Sequence, residues 1–226
     1  KIGRYAFASS GVVNFKMNGG TINEIESYAF NGATDLDTVE ISGTDVALDD
    51  DSFSSSGIKS ISITGLGSIG SYAFDSTKNL DTVDINGTDV ALGKKSFLSS
   101  AVKTMTFHGV TSVDDYAFNL CPNGPETVEF TEDGVTLGDH AFEECSILKS
   151  VNIPDSVETI GSSAFSQCTS LAYVTIGDSV TSISDHAFFG IKSNAIITIS
   201  QDTVRSLMDD DKYNSGNRYP EEEFFS

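Results

Sequence analysis

The stretch IGSSAFSQCTSLAYVTI, residues 160–176, holds the pattern that decides the fold. Its phenylalanine recurs in a similar setting at intervals of 21 to 24 residues along the 226-residue chain. The nine positions are Phe7, Phe30, Phe53, Phe74, Phe97, Phe118, Phe142, Phe165 and Phe188. A regular period of about 20 to 29 residues is typical of a solenoid, in which each unit buries its apolar face only by stacking on its neighbours. We therefore predict one coil per repeat and about nine coils over residues 1–200.

A second element follows each phenylalanine at a nearly constant distance and has the form Val-x-Ile. Clear examples are Val39 with Ile41, Val83 with Ile85, Val151 with Ile153 and Val174 with Ile176. Apolar and polar residues alternate over β-branched positions, which predicts a short strand with one buried face. Because successive coils run in the same direction, these strands should form one parallel β-sheet on the concave face of the solenoid.

The opposite limb of each coil has the form IG-x-x-AF, as in residues 160–165. Glycine permits a tight turn, alanine lets neighbouring coils approach, and phenylalanine supplies the largest apolar contact. We predict that this convex limb consists of short turns or 3-10 segments. Residues 27–54 also match residues 71–98 at an offset of 44, which indicates that a two-coil unit was duplicated.

The full pattern IG-x-x-AF-x-x-C-x-x-L-x-x-V-x-I-P-x-S-V, matched best over residues 137–157 and 160–180, resembles the BspA-like class of leucine-rich repeats. The resemblance covers about residues 2–200. It implies a right-handed leucine-rich-repeat solenoid with coils of about 23 residues. It also implies a secreted or cell-surface protein, because members of this class are typically exported in anaerobic bacteria and some protozoa, where several act as adhesins.

The sequence changes character after residue 200. Asp202 or Thr203 is suited to cap a short helix that contains Val204 and Leu207. Terminal repeats of solenoids are atypical because they cover the exposed edge of the array. We therefore predict a C-terminal cap over residues 201–226. The chain opens inside a repeat, from which we expect that it is a segment of a longer protein.

The composition restricts the class of partner. The chain has 33 acidic and 13 basic residues and a formal charge of −20, so nucleic acid and anionic membrane surfaces would be repelled. No apolar run approaches the roughly 20 residues that cross a bilayer, and we expect no membrane insertion. Cys121, Cys145 and Cys168 are too few for a disulfide-stapled module. Each lies three residues after a phenylalanine, and we expect buried free thiols.

The outward residues of the predicted sheet form the candidate binding face, because a stack of coils presents them on a rigid array. The polar positions are rich in hydroxyls and acids and poor in aromatics. An equally simple interpretation is that small polar side chains only solvate the strands. The binding candidates are Glu40, Ser62, Asp84, Thr106, His108, Glu129, Asn152, Tyr173 and Thr175.

The sequence favours neither a metal site nor a cofactor site. His140 and His186 share one repeat position but lie two coils apart, about 10 Å, which is too far for a shared ion. The acidic run at residues 49–51 has Lys94 and Lys95 at equivalent positions of the duplicated unit, as expected of a tolerant surface turn. Residues 211–222 are spaced like a calcium loop, but Tyr213 removes a needed oxygen ligand.

The leading functional hypothesis is a non-enzymatic binding scaffold, because no phosphate loop or nucleophile motif is present. Its expected partner is a protein or glycan on a host or microbial surface, and we expect the chain itself to be a monomer. One alternative is a carbohydrate-binding region of a larger exported protein. That alternative predicts exposed aromatic platforms, and Tyr173 alone qualifies on the sheet face. The other alternative is a structural spacer without a ligand of its own.

Overall fold

The computed structural model describes residues 1–17, 22–130 and 134–199, and of residues 106 and 107 it describes the backbone only. Within these ranges the chain forms thirteen β-strands, and all their pairings are parallel. The strands are β1 (Asn14–Lys16), β2 (Ile22–Ile25), β3 (Thr38–Leu48), β4 (Ser60–Ile69), β5 (Thr82–Leu92), β6 (Thr104–Val113), β7 (Thr127–Glu129), β8 (Thr136–Leu137), β9 (Ser150–Ile153), β10 (Thr159–Ile160), β11 (Tyr173–Ile176), β12 (Ser182–Ile183) and β13 (Ile196–Ile199).

The strands lie in two rows along the solenoid. The front row contains the Val-x-Ile segments: β1, the first halves of β3 to β6, and then β7, β9, β11 and β13. The side row contains β2, the second halves of β3 to β6, and β8, β10 and β12. A nine-stranded sheet holds the side row and the front row as far as β6, and a four-stranded sheet, β13-β11-β9-β7, holds the rest. Where we predicted one parallel sheet, the structure has two.

The chain passes between the two rows in two different ways. In β3 to β6 it bends without leaving the sheet, through a register shift next to a glycine. At Gly65, φ is +75°, and an added Cβ would lie 2.2 Å from the carbonyl oxygen of Gly43 in the preceding coil. In the later coils the strand ends, as at Ile153, and the next begins after a turn that contains Pro154. Proline has no N–H to donate, so it stops the ladder there.

The core is a continuous stack of phenylalanine rings. Consecutive rings from Phe7 to Phe188 have centroids 4.9 to 5.4 Å apart and are nearly parallel. From Phe30 onward every ring of the stack is completely buried. One aromatic residue per coil therefore contacts the same residue of both neighbours, and the predicted solenoid of stacked parallel coils is confirmed.

The limb that carries each phenylalanine, which we call the turn limb, is a series of tight turns. Two residues with positive φ flank the phenylalanine, two positions before it and two after it, as at His140 (57°) and Glu144 (61°) around Phe142. Backbone bonds alternate: the N–H of Phe142 donates to Ala164 in the next coil at 2.7 Å, and that of Cys145 donates back to Phe142 at 3.2 Å. The prediction of short turns on this limb is confirmed.

The cysteines occupy the core next to these turns. All three are buried free thiols, as predicted. Each Sγ donates to the carbonyl oxygen of a phenylalanine in the preceding coil, at 3.0 Å for Cys121, 3.2 Å for Cys145 and 3.1 Å for Cys168. Burial raises the pKa of the Cys168 thiol to about 12. The thiols therefore act as small core side chains that satisfy backbone acceptors.

Within the described ranges the structure has no helix, and hence none long and apolar enough to cross a membrane. The predicted helical cap over residues 201–226 lies outside the described residues. The division of the chain at residue 200 stays a prediction.

Candidate functional site

Parallel pairing arranges the outward side chains of the front row in columns, with one residue per coil. Glu40, Ser62 and Asp84 are in register with one another, and the backbone of Thr106 continues this column. His108 lies in the neighbouring column, beside Asn86. The side chain of Thr106 lies outside what the structure describes. The sequence-predicted residues of the first coils therefore form one continuous group, which we call the N-terminal face.

The remaining candidates lie on the second sheet. Glu129, Asn152 and Thr175 form one column, and Tyr173 stands in the column next to it, in register with Ser150. We call the outward side of β7, β9, β11 and β13 the C-terminal platform. The structure thus brings the nine candidates together as two groups rather than one.

A break in the front row separates these groups. No pairing joins β6 to β7 among the described strands, whereas β6 pairs with β8 in the side row. The connection from Phe118 to Val128 is one or two residues longer than in the other coils and contains Pro122 and Pro125. Extra length and missing N–H donors displace β7 from the register of β6 while the phenylalanine stack continues.

The N-terminal face combines carboxylates with hydroxyls. Glu40 forms an ion pair with Lys16 of the preceding coil, and Ser62 Oγ donates to Asp84 Oδ2 at 3.4 Å. An open groove runs along this face and is lined by Glu40, Ser62, Asp84 and Met17. Asp84 has no cationic partner within 4 Å among the described residues. The groove therefore offers a carboxylate to a basic ligand.

The C-terminal platform carries an apolar pair that the sequence analysis missed. Tyr173 is 60% exposed, and Ile196, its in-register neighbour on β13, is 59% exposed. Our prediction considered the polar outward positions only and therefore passed over Ile196. The available signal was positional, because Ile196 precedes the strand core residue Ile197 just as Tyr173 precedes Val174.

A column of ion pairs along the edge of the front row was also missed. Acidic and basic residues alternate from coil to coil at the position just before the front strands β3 to β7 and β9. The pairs are Asp37 with Lys59 at 3.2 Å, Asp81 with Lys103 at 2.8 Å and Glu126 with Lys149 at 2.6 Å. Exposed pairs of this kind contribute little stability. They neutralise each other, so this edge offers little net charge to a partner.

The tyrosines of the turn limb form a column with ring contacts from coil to coil. Tyr116 stacks on His140 with centroids 4.5 Å apart, and Lys95 Nζ lies 5.3 and 5.5 Å from the ring centroids of Tyr72 and Tyr116. Tyr5 stacks on Tyr28 in the same way. These contacts pack the turns together, and Tyr28, Tyr72 and Tyr116 are half-buried, whereas Tyr5 is 56% exposed.

The described residues contain no group of three or more histidine, cysteine, aspartate or glutamate side chains placed to hold one metal ion. His140 Nδ1 instead lies 2.9 Å from Glu143 Oε2, a contact within its own coil. Burial, followed by the charges of Glu24 and Asp50, raises the pKa of the Asp49 carboxyl. The calcium-like segment at residues 211–222 lies outside the described ranges.

Comparison with known proteins agrees with the repeat pattern. A family model for the BspA type leucine-rich repeat region, with six copies, matches residues 1–125 and 124–211. A comparison with curated proteins gave no match. Among solved structures, the chain is similar to a leucine-rich cell surface protein from Faecalibacterium prausnitzii, at 18% identity, and to a leucine-rich repeat protein from Bacteroides ovatus, at 16% identity, both with a TM-score of 0.42.

These two alignments cover 86% and 87% of this chain but 62% and 65% of the solved chains. The chain therefore spans less than two thirds of the length of either protein. The family model, in contrast, covers nearly all of the repeats described above. The chain belongs to the BspA-type leucine-rich repeat family, as the resemblance of its repeats predicted.

Proposed function

We propose that this chain is a non-enzymatic binding scaffold of a secreted or cell-surface protein, and that its front row engages a protein partner across several coils. The observation that carries the proposal is the in-register array of outward polar side chains, which includes carboxylates, such as Asp84, that have no cationic partner among the described residues. Each strand offers only small groups, so affinity has to come from many coils rather than from one anchor. The family match supports an interaction role, since solenoids use such extended surfaces for binding.

The shape of the front row favours a macromolecule over a small molecule. Small-molecule sites are concave and bury most of the ligand, whereas both grooves on the front row are open and run along strands. The formal charge of −20 favours a partner with a basic surface. The carbohydrate alternative gains little from the tyrosines of the turn limb, because Tyr28, Tyr72 and Tyr116 are half-buried and only Tyr5 among these four is exposed.

The experiment compares two charge-reversal variants of equal size. Glu40, Asp84 and Glu129 are replaced by lysine on the front row, and Glu144, Glu158 and Asp185, which are exposed on the turn limb and side row, are replaced in the control. Asp50 and Asp115 are unsuitable controls, because their carboxylates accept backbone N–H bonds from the next coil at 2.7 and 3.0 Å.

Both variants and the wild type are tested on an array of purified surface proteins and glycans, with circular dichroism as the check on folding. We expect the front-row variant to lose binding to basic partners and the control to keep it, because charge steers association and fixes the orientation of a partner. Binding that survives front-row reversal but is lost in the control would place recognition on the turns. A wild-type chain that binds nothing on the array would favour the spacer alternative.

A further inference from the structure

The C-terminal platform differs from the rest of the front row in having an apolar end and an acidic end. At the start of its strands, Tyr173 and Ile196 expose more than half of their surface side by side. When a ligand covers neighbouring apolar side chains on a sheet face, their removal from water lowers the free energy and favours binding. Tyrosine is also among the residues that most often dominate binding energy at interfaces. An exposed pair of this kind is suited to anchor a ligand on the platform.

Beyond the opposite end of the strands lie two exposed carboxylates, Asp155 and Asp178. They line an open groove together with Asn152, Thr175 and Thr198. Asp155 Oδ1 accepts the backbone N–H of Asp178 at 3.0 Å, which holds the two turns side by side. Among the described residues, no basic side chain lies within 4 Å of either carboxylate.

The platform therefore runs from apolar to polar to acidic across the width of the sheet. The four strands contain no lysine or arginine, and Lys149 at their edge is already paired with Glu126. A strand rises about 3.3 Å per residue, so Tyr173 and Asp178 are separated by at most about 16 Å. An extended peptide with an apolar side chain and a basic side chain three to five positions apart spans this distance.

We propose that the C-terminal platform binds an extended peptide segment of a partner protein, with an apolar side chain on Tyr173 and Ile196 and a lysine or arginine at Asp155 and Asp178. The inference deepens the proposed function and rests on it. Charge complementarity supports a basic segment in particular, since the chain carries −20 and the two carboxylates lack a cationic partner in the described part. A second copy of the chain would bring like charges together. On the four strands of this platform a glycan would find one exposed aromatic ring, that of Tyr173.

The test measures binding of short fluorescent peptides to the full chain by anisotropy. The probe is the seven-residue peptide Ser-Phe-Ser-Thr-Ser-Lys-Ser, and its two controls replace the phenylalanine by serine or the lysine by glutamate. We expect each control peptide to bind about tenfold more weakly, because each lacks one of the two recognised groups. Equal binding of the three peptides would overturn the proposal.

Protein variants then locate the site. Tyr173→Ser and Ile196→Ser should each weaken binding of the probe several-fold, and the double variant Asp155→Asn, Asp178→Asn should weaken it and flatten its salt dependence. The matched control is Leu120→Ser, because Leu120 is 41% exposed on the turn limb and serine stands at the same position in the coil of Phe97, as Ser99. Probe binding that Leu120→Ser reduces as much as Tyr173→Ser does would contradict the assignment.

Two further outcomes separate this inference from the proposed function. If array ligands are lost in the front-row triple variant while Tyr173→Ser changes neither those ligands nor the probe, the front row binds its partner elsewhere and the platform proposal is wrong. If sedimentation shows a dimer that Tyr173→Ser dissociates, the apolar pair is a self-association surface, and the peptide proposal is again wrong. Chain folding is checked in every variant by circular dichroism.

Discussion

The two halves of this solenoid build the same core with different backbones. In β3 to β6 each strand bends through a glycine and serves both rows, so the coils are joined by ten or eleven residues of continuous strand. From β7 onward each coil has two short strands separated by a turn. The phenylalanine stack passes through both halves with similar spacing, 4.9 Å between the ring centroids of Phe74 and Phe97 and 5.3 Å between those of Phe142 and Phe165.

The difference teaches that the core and the surface of this repeat are specified separately. The phenylalanine stack requires one phenylalanine per coil. It does not depend on whether the front and side rows are connected by a bent strand or by a turn. The surface depends on that route: continuous strands give a polar N-terminal face, whereas the second sheet presents Tyr173 and Ile196. If this is correct, core substitutions should cost the same in both halves, and substitutions at the bend should not.

The largest effect is expected from the phenylalanine stack. Phe74→Ala and Phe165→Ala should each destabilise the fold by about 3–5 kcal/mol, because both rings are fully buried between two others. Urea denaturation followed by circular dichroism measures the cost. Phe189→Ala is the control, since Phe189 is 39% exposed, and should cost under about 1 kcal/mol. A large difference between Phe74→Ala and Phe165→Ala would show that the two halves do not share one core.

The bend comes next, because only the N-terminal half depends on it. Gly65 has a left-handed backbone conformation, and Gly65→Ala would place a Cβ 2.2 Å from the carbonyl oxygen of Gly43. Gly134 is also left-handed, with φ of +83°, but a Cβ there has no neighbour within 4 Å. Gly134→Ala should therefore destabilise the fold by about 1–2 kcal/mol, the cost of a left-handed backbone conformation for a residue with a Cβ. Gly65→Ala should destabilise it clearly more in the same urea denaturation, because its Cβ also clashes with the preceding coil. Equal costs would contradict the close approach of the coils at the bend.

The sequence predicted the parts of this structure that depend on local pattern. The phenylalanine period follows from comparing the repeats, and the alternation at Val39 and Ile41 is visible within one of them. The coiled fold and the burial of the phenylalanines were both confirmed. The second row of strands was not predicted, because residues such as Gly43-Thr44-Asp45 have the composition of an ordinary turn. Whether such a turn interrupts a strand or bends it depends on contacts with the neighbouring coil, which a single repeat does not contain.

The outward positions of the candidate residues could be predicted from the sequence, but their division into two groups could not. The outward positions of the strands follow from period-two alternation, and the structure has Glu40, Ser62 and Asp84 in register in one column. The break between β6 and β7 depends on one or two extra residues near Pro122, a difference too small to read as a sheet boundary. Ile196 was not predicted because only polar outward positions were taken as candidates, although a few well-buried side chains carry most of the binding energy of an interface.

A smaller effect of opposite sign distinguishes the halves at the residue before each phenylalanine. In the later coils this residue is alanine, but in two coils of the N-terminal half it is Ser52 or Ser96, each fully buried. Neither hydroxyl oxygen has a hydrogen-bond partner among the described residues. Removing a buried polar group without a partner relieves its desolvation cost, so Ser52→Ala and Ser96→Ala should each stabilise the chain by about 1 kcal/mol.

Thermal and urea denaturation of these two variants test the prediction. The control is Thr77→Val, because the Thr77 hydroxyl is also buried but donates to the Phe74 carbonyl oxygen at 2.7 Å. That substitution should destabilise by about 1 kcal/mol, since it removes a satisfied bond. Destabilisation by Ser52→Ala would mean that its hydroxyl is bonded in solution.

The smallest expected effect concerns pH and the acidic turn of the N-terminal half. Burial, together with Asp50, raises the pKa of the Asp51 carboxyl above its ordinary 3.8, although hydrogen bonds from Tyr28 and Ser54 oppose the rise. The folded state therefore binds this proton more tightly than the unfolded state does. The ionised Asp51 carboxylate consequently destabilises the folded state at neutral pH. This destabilisation is lost as the pH falls through the raised folded-state pKa towards 3.8, because the carboxyl becomes protonated.

Asp51→Asn should accordingly stabilise the chain at neutral pH and leave it unchanged at about pH 2.5, well below the ordinary pKa of 3.8, where the wild-type carboxyl is protonated in both states. The duplicated coil supports this, because Lys95 stands at the equivalent position without disturbing the stack. Urea denaturation across this pH range measures the difference, with Asp45→Asn on the exposed bend as the control. A stabilisation that is the same at both pH values would show that the gain arises from hydrogen bonding and not from the titration of Asp51.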